Sequence, residues 1–390
     1  MTLSGTMSQK KHTYFLNIFL TLTVLGICLV AVESFCYFYL HLPAHMPPLV
    51  YFEPSQTPSK RLMRNVDKIV DGAYREFRYR VTTDDNGFRR TYPFTNNEGV
   101  YSIAILGDSQ SFGVGMNDDE TFASLLAKNL GVSVLNTACP GYNTIEEFLT
   151  YTNRVQQFKP RYVLLFFFVG NDPYENYKNQ ELYNEKPTNE PTASGQENLT
   201  SSPLSARIKK FLAKHSAIYN SLIRLRQIPQ INRILYHYKF VNPTPPAELA
   251  IFKKGENPKA AVHWQITEQI ILNLKDKVEA NGSEFWIVFI PDQYQVDPIH
   301  WQHWASKYNL NVQDFDLMLP NQHLFEFSKK NGINFEDTTE NLIKFHNEGK
   351  SVYWKIDNHL NALGHQIIAD SVALRLSKHQ ELIGTKTGKN

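Results

Sequence analysis

Apolar residues along this chain gather in short unbroken runs, and the segments between the runs carry a helical repeat. The runs are Tyr101–Leu106, Val132–Asn136, "RYVLLFFFVG" (Arg161–Gly170) and "FWIVFIP" (Phe285–Pro291). A strand with one wet face alternates apolar with polar, whereas runs this continuous suit strands of a parallel sheet covered on both faces. A helix is predicted over about Glu120–Leu130, with Phe122, Leu125, Leu126 and Leu130 on one side and Gly131 as its stop. Thr144 and Glu147 have capping-box spacing for a helix reaching about Phe158, ended by Lys159-Pro160. Later come a helix at Trp264–Ala280 closed by Asn281-Gly282, a helix at about Asn321–Lys330, a short strand at Ile333–Phe335 and a last helix at about Ala362–Leu376. Strands alternating with helices predict an α/β fold with a central parallel sheet.

Three segments break this alternation. "REFRYRV" places Phe77, Tyr79 and Val81 on one face, as in a half-buried edge or antiparallel strand, and "DDNGF" after it reads as a turn. Pro173–Pro203 is rich in Asn, Glu, Pro, Ser and Thr and reads mostly as loop. The basic "SARIKKFLAKHSAIYNSLIRLRQ" that follows reads as an amphipathic helix whose basic residues form a solvated face by default, with a lid or a surface resting on the membrane as the alternatives. At the N-terminus, Tyr14–Val32 is 19 residues without a charge, close to the roughly 20 that span a bilayer. Its length and the aromatic "SFCYFYL" after Glu33 favour an uncleaved anchor over a cleaved signal peptide. Lys10 and Lys11 precede the span and no Lys or Arg follows before Lys60, which predicts a cytoplasmic N-terminus and a periplasmic or otherwise extracytoplasmic domain. Prolines 43, 47, 48, 54 and 58 make the next stretch a semi-rigid tether. The expected division is a tail at 1–13, an anchor at 14–40, a tether at 41–70 and a domain at 71–390 with an insertion at about 173–263.

Composition narrows the possible functions. The 390 residues suffice for one large α/β domain or two smaller ones, and a net charge of +2 offers no basic face for nucleic acid. Three cysteines cannot build a disulfide framework, and Cys139 reads as a free thiol. "GVG" at Gly113–Gly115 lacks the Lys-Ser/Thr of a phosphate loop. His365 lies six residues after His359, a spacing that puts the two on different helix faces and disfavours a shared metal. No cofactor and no metal is expected.

Ligands of an open parallel sheet bind at the carboxyl ends of its strands. Those ends carry Gly107-Asp108-Ser109, "NTACPGYNT" with Gly141, and Gly170-Asn171-Asp172, and Asp357 and His359 stand just before the last helix. Together they supply a hydroxyl, a flexible backbone N–H, a side-chain amide, an imidazole and a carboxylate, the set needed for acyl transfer through serine. His359 can take the Ser109 proton, Asp357 can hold the imidazole tautomer, and Ser109 N–H, Gly141 N–H and the Asn171 amide can receive an oxyanion. Ser111 is the alternative attacking group, and Asp108 reads as an organiser of its own loop.

The blocks "GDSQS", "CPGYNT", "VGND" and "DNHLNALGH" stand in the order found in the SGNH (GDSL-type) hydrolases, and the chain resembles that family over roughly Tyr74–Glu181 and Trp264–Leu376. The flanking "NGFRR" and "NDDETFASLLAKNL" extend the likeness. The resemblance implies a flavodoxin-like three-layer α/β/α fold. It implies Ser109 and His359 as the catalytic pair, Ser109, Gly141 and Asn171 as the oxyanion hole, and cleavage of an acyl ester on a carbohydrate or lipid. Many members place the acid three residues before the histidine, where this chain has Ile356. Asp357, two before it, matches the tighter spacing of relatives that include polysaccharide O-acetyltransferases, and a backbone carbonyl is the other candidate to orient the imidazole. The expected activity is an esterase or deacylase. The alternatives are an O-acyltransferase acting on a surface or secreted glycan and an anchored binding protein without catalysis.

Overall fold

The computed structural model describes residues 4–38, 52–54, 60–72, 76–93, 101–184 and 245–387, with five positions between 208 and 219. Most of the basic stretch after Pro203 therefore lies outside the described residues. Two compact units are distinguished, Met1–Pro48 with Asn198–Leu235, and Leu49–Glu197 with Tyr236–Asn390. In the first, helix α1 (Ser4–Phe38) contains Leu16–Phe35, long and apolar enough to cross a membrane and exposed along its length.

The second unit is built on five parallel strands, β5 (Ile103–Leu106), β6 (Val134–Asn136), β7 (Tyr162–Phe168), β8 (Glu284–Ile290) and β9 (Asn334–Asp337). Before them come β1 (Phe52–Pro54), β2 (Lys60–Leu62), β3 (Asp67–Asp71) and β4 (Arg78–Thr82), paired antiparallel as β1–β2 and β3–β4. The spatial order β6-β5-β7-β8-β9 is flavodoxin-like and covered by helices on both faces. Between β5 and β7 the winding reverses, which opens a crevice at their carboxyl ends.

The apolar runs follow from this layering. Along β7, Val163, Leu165 and Phe167 join one core, while Tyr162, Leu164, Phe166 and Phe168 join the other. Phe285, Ile287 and Phe289 of β8 divide from Trp286, Val288 and Ile290 in the same way. Every residue of β7 is buried, so neither face leaves room for a polar position.

A third, smaller core forms where the hairpins meet the sheet edge. Leu62, Val66, Phe77, Tyr79 and Val81 pack with Phe112, Ala138, Cys139 and Tyr142. Phe77, Tyr79 and Val81 face inward together, as their alternation predicts. Residues 60–62 and 67–70, which the expected domain start near Asp71 left in the tether, are strand. Beneath this core the Arg89 guanidinium, with no exposed side-chain surface, pairs with Asp118 at 2.9 Å and donates to the carbonyls of Phe112 and Gly113 at 2.7 Å each.

Several local expectations are corrected. The helix after β6, α4 (Thr144–Thr150), is capped by Asn143, whose side chain accepts from the N–H of Ile145 and Glu146; Thr144 and Glu147 form no capping box. It then loosens into a π turn at Tyr151–Val155 and a 3-10 turn at Gln156–Phe158. The stretch after Asn171 begins as helix rather than loop, with α5 (Asp172–Lys178) and α6 (Gln180–Asn184). Pro173 sits in the first turn of α5, where its missing N–H costs nothing.

Replacing Arg89 with Met leaves Asp118 buried without its cation and removes the bonds Arg89 donates to the Phe112, Gly113 and Met116 carbonyls. We expect Arg89→Met to lower stability by about 3–5 kcal/mol in urea unfolding of the full-length protein; a loss under about 1 kcal/mol would contradict this role.

Candidate active site

Ser109 is the first residue of α2 (Ser109–Phe112), a single turn at the carboxyl end of β5. One turn of helix is marginal by itself, because its nucleation fixes several residues for one hydrogen bond. Side chains hold it instead. Asp108 caps it by accepting the Gln110 N–H at 2.9 Å. Asn136, at the end of β6, donates from Nδ2 to the Ser111 carbonyl at 3.1 Å. Gly107 must be glycine, since a Cβ there would lie 2.2 Å from Ser111 Oγ. Ser111 is fully buried against that glycine while Ser109 is only half-buried.

Gly141 lies in the loop after β6 with φ +73°, a left-handed conformation that favours glycine. The loop is tied to the Ser109 turn by Cys139 N–H donating to the Gly107 carbonyl at 3.1 Å. On its outer side the Lys60 ammonium donates to the Gly141 carbonyl at 2.9 Å. Asn171 follows β7 as the cap position of α5, yet its side chain makes no capping hydrogen bond.

Asp357 and His359 occupy the tip of a turn before α12 (Ala362–Thr387). Trp354 N–H donates to the His359 carbonyl at 2.9 Å and closes the turn, and Tyr353 bridges Leu360. The Asp357 carboxylate bonds to His359 Nδ1 and also accepts the His359 backbone N–H at 3.0 Å. Burial pushes the Asp357 carboxyl up, but the hydrogen bond and charge of His359 outweigh it and hold the group below its usual range. Nδ1 is thus engaged, and Nε2 is the ring nitrogen left for a reacting group.

One residue joins this turn to the serine. The Gln110 amide donates from Nε2 to the Asn358 carbonyl at 3.1 Å and accepts the Leu360 N–H on Oε1 at 3.0 Å. It brackets His359 on both sides, from the position next to Ser109. Two other residues weighed from the sequence have structural work. His365 is buried on Phe122, accepts the Phe122 N–H on Nδ1 at 3.0 Å, and burial, with the Arg89 charge, lowers it to about 3. Burial pushes the Cys139 thiol up to about 12, which makes it inert as a nucleophile.

Beneath the site lie three buried carboxyls, Asp108, Glu147 and Asp172. Burial raises Asp108 to about 6, opposed by the Gln110 N–H and the charge of His359. Glu147 is raised well above the usual range by burial and then by the charges of Asp108 and Glu146. Asp172 is raised in the same way, by burial and then by Glu147 and Asp108. Among the described residues, no group of His, Cys, Asp and Glu has the geometry to hold a metal ion.

With the geometry in view, the chain can be set beside known proteins. The family model described as GDSL-like Lipase/Acylhydrolase matches residues 103–372. No curated protein matches the chain. Among solved structures, a lipolytic protein of the G-D-S-L family from Desulfitobacterium hafniense DCB-2 is 14% identical, covering 70% of this chain and 98% of that one at a TM-score of 0.36. The acetyl xylan esterase AlAXEase is 13% identical, covering 69% and 96% at 0.36. The psychrotrophic esterase EstA from Pseudoalteromonas sp. is 13% identical, covering 72% and 98% at 0.34. At such scores the structural likenesses carry no argument beside the family match.

The acid cluster gives a pH prediction. A carboxyl whose folded pKa is raised above the unfolded value of about 4.3 loses stability as pH rises from there toward the folded pKa. Glu147→Gln copies the protonated acid and escapes that loss. Its melting temperature should exceed the wild-type value by a margin that widens as pH rises above about 4.3. A margin independent of pH would show that Glu147 is not protonated in the folded protein.

Proposed function

The chain belongs to the GDSL-like lipase/acylhydrolase family and is an ester-bond hydrolase, and from that premise we propose that Ser109 is its nucleophile, His359 its general base and Asp357 the acid behind the histidine. The observation that carries this reading is the bracket of His359. Its Nδ1 is held by Asp357, and its two backbone neighbours are held by the residue beside Ser109.

In the proposed reaction Ser109 Oγ attacks the acyl carbonyl as its proton passes to His359 Nε2. The imidazolium that forms is stabilised by Asp357. The carbonyl oxygen becomes an oxyanion received by Ser109 N–H, Gly141 N–H and the Asn171 amide, donors fixed in place before the charge develops. Collapse expels the alcohol, which takes the proton from His359 and leaves an acyl-serine. Water then attacks with His359 again as base, releasing the acid and restoring Ser109. The expected ester is on a carbohydrate or a lipid. Lys10 and Lys11 ahead of Leu16–Phe35 support an anchored protein whose catalytic domain faces the periplasm or exterior. The Asp357-x-His359 spacing favours one second reading, an O-acyltransferase in which a glycan hydroxyl replaces the resolving water.

A fluorophosphonate probe should label the wild-type protein and not Ser109→Ala. His359→Ala should slow hydrolysis of p-nitrophenyl acetate by about 1000-fold or more. Labelling that persists in a folded Ser109→Ala protein would refute the serine assignment. Turnover raised by an added glycan acceptor would move the reading to the transferase.

A further inference from the structure

The turn that carries Asp357 and His359 is rooted in the core at Tyr353 and Leu360, but its tip stands outside it. Lys355 and Ile356 are exposed, Ile356 at 60%, and Asp357 is only partly buried. Gln110 holds the His359 side of the turn. The Asp357 side is held by one carboxylate from a distant part of the chain. Glu76 accepts the backbone N–H of Lys355, of Ile356 at 2.9 and 3.1 Å, and of Asp357 at 3.0 Å. Three successive N–H groups converging on one anion form a nest, a backbone arrangement suited to holding a carboxylate. Charge-assisted bonds of this kind are roughly twice as strong as neutral ones.

Glu76 is itself well placed. It directly precedes Phe77, whose buried ring packs on Trp354 at 5.1 Å, with Tyr79 at 5.8 Å on its other side. Trp354 is the residue whose N–H closes the turn on His359. The aromatic contact sets the distance between β4 and the turn, and the carboxylate sets the turn's orientation. Glu76 lies upstream of the segment that matches the family model, 103–372.

We propose that Glu76 is a positioning residue of the active site, fixing the Asp357 backbone so that the Asp357 carboxylate meets His359 Nδ1 in the reactive orientation. The inference rests on the Ser109–His359–Asp357 reading. Glu76 touches neither substrate nor reacting atoms and acts through Asp357. Without it, three N–H groups turn to water and the turn samples orientations in which Asp357 and His359 no longer align. Misplacement of a reacting group by about 1 Å is enough to cost roughly 100-fold in rate.

The test measures the rate constant for fluorophosphonate labelling of the full-length chain, together with its unfolding midpoint. Glu76→Ala and the isosteric Glu76→Gln should keep the wild-type midpoint and label roughly 10- to 100-fold more slowly. In an Asp357→Ala background the same substitutions should change the rate by less than about twofold, because the residue through which Glu76 acts is gone. Wild-type labelling rates in the Glu76 variants would overturn the proposal, as would an equal fall in the Asp357→Ala background. A loss of labelling that follows a lost fold in both variants would also overturn it, since Glu76 would then serve the fold alone. Ser109→Ala separates the two claims. If it still labels, the serine reading fails; if it is inert while Glu76 variants react normally, only the positioning role fails.

Discussion

A guanidinium with no exposed side-chain surface is what allows a four-residue helix to present a serine at the sheet edge. Arg89 offers five donors in a fixed fork. Nε goes to Asp118, Nη1 to the Phe112 and Gly113 carbonyls, and Nη2 to the Met116 carbonyl. Those carbonyls end α2 and begin the loop after it, where the last turn of a helix lacks partners of its own. The cation also rests on the Phe112 ring, 4.5 Å from its centroid. Burying this charge is tolerable only because Asp118 neutralises it, and Asp118 is in turn held by the Thr82 N–H and hydroxyl. Asp118, one of the acids that precede α3 (Phe122–Leu130), is thus committed to Arg89.

The same low-dielectric ground beneath the site governs its acids. Asp108, Glu147 and Asp172 are all buried, and burial favours their protonated forms, joined for Glu147 and Asp172 by repulsion from neighbouring carboxylates. Asp357 is the exception. It is partly buried, but the imidazole and the His359 backbone N–H favour its ionised form. One site therefore holds carboxyls pushed in opposite directions by their surroundings. Only the one pushed down is next to the histidine's Nδ1, where a negative charge stabilises an imidazolium.

The strands were legible because burial on two faces imposes an unmistakable composition. β5, β7 and β8 stand out as apolar runs, and their carboxyl ends locate Gly107-Asp108-Ser109 and Gly170-Asn171-Asp172 without further help. Helix α5 was hidden because its "DPYENYK" is polar enough to pass for loop, and its stability comes from packing on α7 (Pro258–Ala280), as in the Asn176 hydrogen bond to Thr267. The π turn at Tyr151–Val155 has no compositional mark at all. At the site, the residues that do chemistry in the proposed mechanism occupy blocks readable along the chain. The residues that hold them do not. Gln110 reaches 250 residues to Leu360, Glu76 reaches 281 to Asp357, and Lys60 reaches 81 to Gly141. A contact across such separations leaves no local periodicity or spacing to detect.

Two of these long contacts share an origin with the Arg89 cluster. Arg89 secures the loop after Ser109, Lys60 touches the Gly141 loop, and Glu76 receives the N–H groups of the Asp357 turn, all from the segment between Lys60 and Arg89. The third core seals that segment to the sheet edge, with Phe77, Tyr79 and Val81 against Phe112, Ala138 and Tyr142. The family match begins at residue 103, after all of them. A chain cut at that boundary would retain every residue in the proposed mechanism. It would expose Phe112 and Tyr142, leave Asp118 without its cation and open the Asp357 turn to water. The contacts that hold the loops of the proposed site therefore begin at β2. The hairpins ahead of the sheet are its outer wall, and three of the four loops at the site lean on them.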